Sequence, residues 1–278
     1  MPDTSRRSFL GGAMALAVPA APAGFALPAA GEEDLKLGVA SYSLRGFNRK
    51  IAIKYLKELH VKYINLKEFH LRYIDKPEDL AKGRKELESA GFTILGGGTI
   101  DLKRDDDADV RKYFEYAKTC GMPLMVIAPT AQTMPRIERF VKEYNIKVAV
   151  HNHGPEDKYF PTPQSALKVV KDMDPRVGLC IDVGHTARTG VDVVESIREA
   201  GPRLLDMHVK DLRSFTEKES QCDVGDGIMP IVAIFKELKR MKYAGGVMLE
   251  YEINEDDPRA GMHRSLSYMR GVLVGLRG

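Results

Sequence analysis

The sequence predicts an α/β chain folded as a single-domain (β/α)8 TIM barrel. Three observations carry this. From Leu35 onward, short β-rich runs alternate with longer amphipathic ones, the pattern of repeated βα units around a parallel sheet. Eight such strand–helix pairs can be counted. The length, 278 residues, suits a fold that commonly uses about 250 residues as one domain.

In chain order the strands are expected over residues 37–42, 63–69, 93–97, 124–128, 147–151, 177–182, 204–209 and 246–251. Helices are expected over 51–59, 78–89, 110–120, 135–144, 165–173, 191–199, 231–241 and 259–276, where apolar residues recur at helical spacing. Hydrophobic residues at 44% and charged residues at 29% are ordinary for a soluble globular chain with a large core. A net charge of +3, with no dense Lys/Arg cluster interleaved with aromatics, argues against nucleic acid as a partner. Cys120, Cys180 and Cys222 are odd in number and widely spaced, so they are expected as single thiols rather than a disulfide framework.

Residues 1–33 are read apart from the barrel at 34–278. Ser5-Arg6-Arg7-Ser8-Phe9-Leu10 precedes an uncharged Gly/Ala-rich run that contains Pro19, Pro22 and Pro28 and ends in small residues. This resembles a twin-arginine export signal with its linker. The three prolines argue against a stable spanning helix, so a periplasmic or secreted protein without stable membrane insertion is expected.

Barrel geometry then directs attention to the C-terminal ends of the strands, where such folds build their sites. Five of the seven histidines fall there. His151 and His153 stand in KVAVHNHGPED after the fifth strand, and period-two alternation gives them one side if the strand continues straight. Asp182 closes VGLCID and His185 follows three places later. Either they face one centre, or Asp182 caps the next helix and His185 is a loop histidine. His208 and Lys210 share a face of the seventh strand, and Glu250 ends the eighth in GGVMLEYE. A buried glutamate is hard to explain as packing unless it is paired or metal-bound, and Lys210 is either a catalytic group or its ion-pair partner. On the second strand, regular alternation puts Lys67 and Phe69 on one face and Glu68 and His70 on the other. Glu68 is then a substrate or acid/base contact, or part of a rim ion pair. A mixture of carboxylates and imidazoles suits a divalent cation such as Mn²⁺, Mg²⁺, Co²⁺ or Zn²⁺.

The segments CIDVGH, LLDMHVKD and DVGDGIMPIVAIFKELKRMKYAGGVMLEYE resemble the xylose isomerase-like barrels, a group of sugar isomerases, epimerases and related lyases. The resemblance covers the chain from about Leu35 and is most specific from Lys147 to Glu252. It implies a divalent metal held by a Glu after strand five, an Asp after six, a His after seven and a Glu after eight. Asp182, His208 and Glu250 match these positions, whereas HNH places a histidine where the family has its glutamate. His151 or His153 must therefore supply a ligand, an acid/base group, or both. Gly225 and Gly227 in DVGDG match a glycine pair that borders the family's site. The expected function is a metal-dependent sugar isomerase or epimerase acting on a non-phosphorylated carbohydrate, by proton abstraction beside a carbonyl. A lyase or dehydratase of a keto-sugar or 3-keto-glycoside, and a non-catalytic carbohydrate-binding barrel, are the alternatives. The related apurinic-site endonucleases need more zinc ligands than this chain supplies.

Overall fold

Eight parallel strands pair edge to edge until the last meets the first, so the sheet has no free edge. In this computed structural model, which describes residues 35–277, they are β1 (Lys36–Ala40), β2 (Tyr63–Leu66), β3 (Thr93–Leu102), β4 (Leu124–Pro129), β5 (Lys147–His151), β6 (Val177–Asp182), β7 (Leu204–Val209) and β8 (Gly246–Leu249). The segment read as an export signal lies outside the described residues. Around the ring the order is β1-β8-β7-β6-β5-β4-β3-β2, all parallel, as expected for a TIM barrel.

The connecting helices are α1 (Arg49–Glu58), α2 (Pro77–Ser89), α3 (Asp107–Thr119), α4 (Met134–Tyr144), α5 (Pro163–Val170), α6 (Val183–Arg188), α7 (Val193–Ala200), α8 (Ile231–Arg240) and α9 (Arg259–Gly275). Several starts are written locally: Asn48, Asp106 and Asp192 each accept from a backbone amide three residues on, and Thr162 and Ser165 form a reciprocal capping box. Between helices and sheet lies the main apolar layer, in which Phe114, Phe140, Ile181 and Val209 are fully buried. Each such side chain contributes about 1.5–3 kcal/mol by leaving water. A smaller apolar group, Leu124, Val126, Ala149 and Cys180, packs separately. Alternation along the strands puts Ala149 two places before His151 and Cys180 two places before Asp182, so the same face that packs there also carries the polar ends.

Four local expectations are corrected. β1 stops at Ala40 and a 3-10 turn, Ser41–Leu44, follows. The His70 ring spans it, with Nδ1 2.9 Å from Ser41 Oγ and Nε2 3.2 Å from the Leu44 carbonyl. β2 ends at Leu66, because the Lys67 amide donates to Ser41 Oγ (2.8 Å) instead of continuing a ladder. The alternation expected beyond it fails: Lys67 and His70 are buried, and Glu68 and Phe69 are exposed. After β6 the chain forms α6 rather than a loop, because Asp182 Oδ1 accepts from the His185 amide (2.9 Å). Finally, Gly225 and Gly227 serve packing within their own loop. Their amides donate to Asp211 Oδ2 (2.9 and 3.2 Å), and the Met229 amide donates to Oδ1 (3.0 Å). Gly225 has φ +105°, and a Cβ there would stand 2.6 Å from the Tyr268 ring.

Candidate metal centre

Strands β5 to β8 each deliver one side chain to the C-terminal mouth of the barrel. The register explains the meeting: Asp182 lies opposite His208 across β6 and β7, His151 lies opposite Cys180 across β5 and β6, and Glu250 follows directly on β8. One donor atom from each of His151, Asp182, His208 and Glu250 lies within 4.8 Å of the others, and all four residues are buried. His151 Nε2 is 3.1 Å from His208 Nδ1 and 3.8 Å from Asp182 Oδ2; His208 Nδ1 is also 3.1 Å from Glu250 Oε2. These spacings bracket the roughly 3.4 Å between two donors bound at about 2.1 Å in a tetrahedral set.

Asp182 divides its two oxygens. Oδ1 caps α6, and Oδ2 is fully buried, faces the cluster and has no hydrogen-bond partner in it. Lys210 Nζ nevertheless stands 3.0 Å away as an ion-pair partner. A buried carboxylate oxygen left in this state fits a cation. Asn152 fixes the strand end: its Oδ1 accepts from the Asp182 amide (3.0 Å), and its Nδ2 donates to Thr186 Oγ1 (3.0 Å).

Two lysines reach the same carboxylates. Lys210 Nζ lies 3.2 Å from Glu250 Oε2 and also pairs with Glu252, and Lys67 Nζ lies 3.2 Å from Glu250 Oε1. Burial alone would raise the Glu250 carboxyl, but His208, Lys67 and Lys210 outweigh it and hold the group well below the usual carboxylate range. Asp182 is likewise held down against burial, chiefly by Lys210. For Lys210 burial acts downward, and Asp182, Glu252 and Glu250 together push the ammonium well above its ordinary value. Burial keeps the His151 imidazole well below its usual range, which leaves it neutral with a nitrogen lone pair available. The set therefore offers two imidazole nitrogens and two carboxylates, which suits a divalent cation.

Not every sequence candidate joins this cluster. His153 is exposed beside it, with ring centroids 5.3 Å from His151 and 4.6 Å from His185. His185 Nδ1 is buried without a hydrogen-bond partner, but neither residue belongs to the converging four among the described residues. Glu68 stands at the rim of a cavity of about 270 Å³ that opens onto the site. That cavity is also lined by Tyr42, Lys67, Phe69, Tyr73, Thr99, His153 and Glu252. Lys67 is the main omission from the sequence candidates. Its list of neighbours depends on β2 ending early, which strand alternation alone does not reveal.

A parallel barrel with an acid- and imidazole-lined mouth defines the class. The family model of the xylose isomerase-like TIM barrel matches residues 50–272, and the chain belongs to that family. Inosose dehydratase of Lactiplantibacillus plantarum is 23% identical over 186 residues, covering 59% of this chain and 58% of that protein. The chain thus spans little more than half the length of the curated relative it matches. Among solved structures, the IOLI protein with a bound zinc atom has a TM-score of 0.72 at 17% identity, covering 87% of this chain and 99% of that one. D-psicose 3-epimerase of Clostridium cellulolyticum H10, solved with D-tagatose, has a TM-score of 0.69 at 16% identity, with 86% and 99% covered. These two likenesses are likenesses of fold.

Proposed function

We propose that the protein is a divalent-metal-dependent enzyme that removes a proton from the carbon beside a carbonyl in a non-phosphorylated carbohydrate, giving isomerisation or epimerisation. The observation that carries this is the convergence of His151, Asp182, His208 and Glu250 at the barrel mouth, under a cavity large enough for a single sugar ring. His151, Asp182, His208 and Glu250 would hold the cation, which when bound supplies Lewis-acid polarisation of the substrate's carbonyl and neighbouring hydroxyl. Glu250 borders the cavity, where its carboxylate would accept the proton. Lys67 Nζ, 3.2 Å from Glu250 and 3.5 Å from Thr99 Oγ1, stands where an ammonium hydrogen bond can stabilise an oxygen that gains negative charge. His153, which lines the cavity beside the proposed ligand His151, would exchange a proton with the substrate from the wall.

Phosphate recognition has little support at this mouth. The glycine-loop amides are committed to Asp211, and Lys210 is committed to Asp182, Glu250 and Glu252. Export to the periplasm or beyond belongs to the same proposal and rests on the N-terminal sequence alone.

Dehydration is the second reading, favoured by the inosose dehydratase relative. Proton removal is shared, and a hydroxyl then leaves from the neighbouring carbon. Incubation of the metal-loaded protein with keto-sugars in deuterium oxide, followed by NMR, tests both. Deuterium beside the carbonyl, abolished in Glu250→Gln, is the expected result. Full exchange in Glu250→Gln would overturn the mechanism, and loss of water from the product would select the second reading.

A further inference from the structure

The donors that meet at the barrel mouth are unequal in kind, and so are the charges around them. Two are imidazole nitrogens, His151 Nε2 and His208 Nδ1, 3.1 Å apart. Beneath them, Cys180 places its sulfur within 4.8 Å of both histidines' donor atoms. The two carboxylates are already met by cations of the chain itself. Lys210 lies 3.0 Å from Asp182 and 3.2 Å from Glu250, and Lys67 lies 3.2 Å from the other oxygen of Glu250. Counting Glu252, which also pairs with Lys210, two ammoniums offset two of the three carboxylate charges. A hard cation such as Mg²⁺ is held mainly by charged oxygen and keeps several waters. It gains little from oxygens whose charge is already offset. A borderline cation gains most of its bonding from nitrogen lone pairs, which the lysines leave untouched.

We infer that this site selects a borderline cation, zinc or cobalt, over magnesium and manganese, and that His151 is the residue that sets the choice. The inference rests on the reading that His151, Asp182, His208 and Glu250 hold one cation. Aspartate and glutamate are common to sites for hard and borderline ions alike. His208 supplies one nitrogen from β7, and His151 adds the second from the facing side of the cluster. Exchanging that nitrogen for a carboxylate adds a negative charge to the donor set, and so moves the site toward oxygen-seeking ions.

The test is a set of calorimetric and competition titrations of the chelator-stripped full chain with Zn²⁺, Co²⁺, Mn²⁺ and Mg²⁺. Almost any such site prefers zinc to manganese. The informative quantity is therefore the ratio of their affinities in wild type against His151→Glu. The ratio is expected to fall at least about tenfold in His151→Glu, through tighter manganese and magnesium binding. Circular dichroism checks the fold of each variant. If the added carboxylate unfolds the barrel, His151→Gln supplies the same comparison: it must also lower the ratio, through weaker zinc binding. The Co²⁺ adduct gives an independent readout, because its visible bands are expected to change in either variant. An unchanged ratio in a folded variant overturns the inference while leaving a metal centre in place. Failure of all four ions to bind wild type overturns the metal-centre reading itself.

Discussion

The two halves of the barrel mouth are built differently. Strands β5 to β8 end in or lead directly into donors, His151, Asp182, His208 and Glu250, in a parallel ladder whose one register shift, between Leu179 and Cys180 of β6, lies before the donors. β3 and the segments after β1 and β2 supply a wall instead, with Tyr42, Phe69, Tyr73 and Thr99 lining the cavity and Lys67 reaching across to Glu250. The Tyr42 and Phe69 rings meet edge to face at 5.7 Å. One half is thus suited to hold a cation and the other to shape what binds beside it. Variants on the two sides should therefore fail in different ways.

The largest effect is expected on the donor side. His208→Ala should reduce bound metal from about one ion per chain to a small fraction, and lower turnover by about 10²–10⁴-fold, the range for losing a group of this kind. Elemental analysis alongside turnover checks it; a fully metallated variant would break the contrast. Next comes a stability effect in the wall half. Burial holds the His70 imidazole down at about 4, against 6.5 ordinarily, while its ring ties Ser41 to the Leu44 carbonyl. The unfolded chain then takes up the proton first on acidification. Stability present above pH 6.5 should fall as pH drops toward about 4, by up to about 3 kcal/mol. Denaturant melts across that window should be flatter in His70→Gln.

Lys67→Met should keep its metal and lose about 10–100-fold in kcat, a smaller penalty measured by steady-state kinetics on the metal-loaded protein. Phe69→Ala should do least, raising KM by less than about tenfold with metal and kcat unchanged. Phe69 lines the cavity but is 45% exposed. A loss of metal in either wall variant would show that the two halves are not separable.

The same contrast explains what was legible in the sequence. Donor-side strands keep their alternation to the last residue, so counting by twos from the apolar run places His208 and Lys210 correctly. Asp182 also shows why local readings need not exclude one another: one oxygen caps α6 while the other faces the cluster. On the wall side the strands depart from regularity at their ends. β2 stops after Leu66, held by a serine on the preceding turn, and β3 runs on to Leu102 with a register shift between Gly97 and Ile100. Those features depend on contacts between residues distant in sequence, and Lys67 was hidden by them. In HNH the pattern placed both histidines at the mouth, but their division into a buried donor and an exposed neighbour depends on where β5 ends.

The central claim is that one cation sits among four named side chains. An anomalous difference map from crystals of the zinc-loaded protein tests it most directly. The account predicts a single strong peak at bonding distance from His151, Asp182, His208 and Glu250, with His153 and His185 outside that distance. A peak bound by His153 and His185 instead, or none at the barrel mouth, would contradict it.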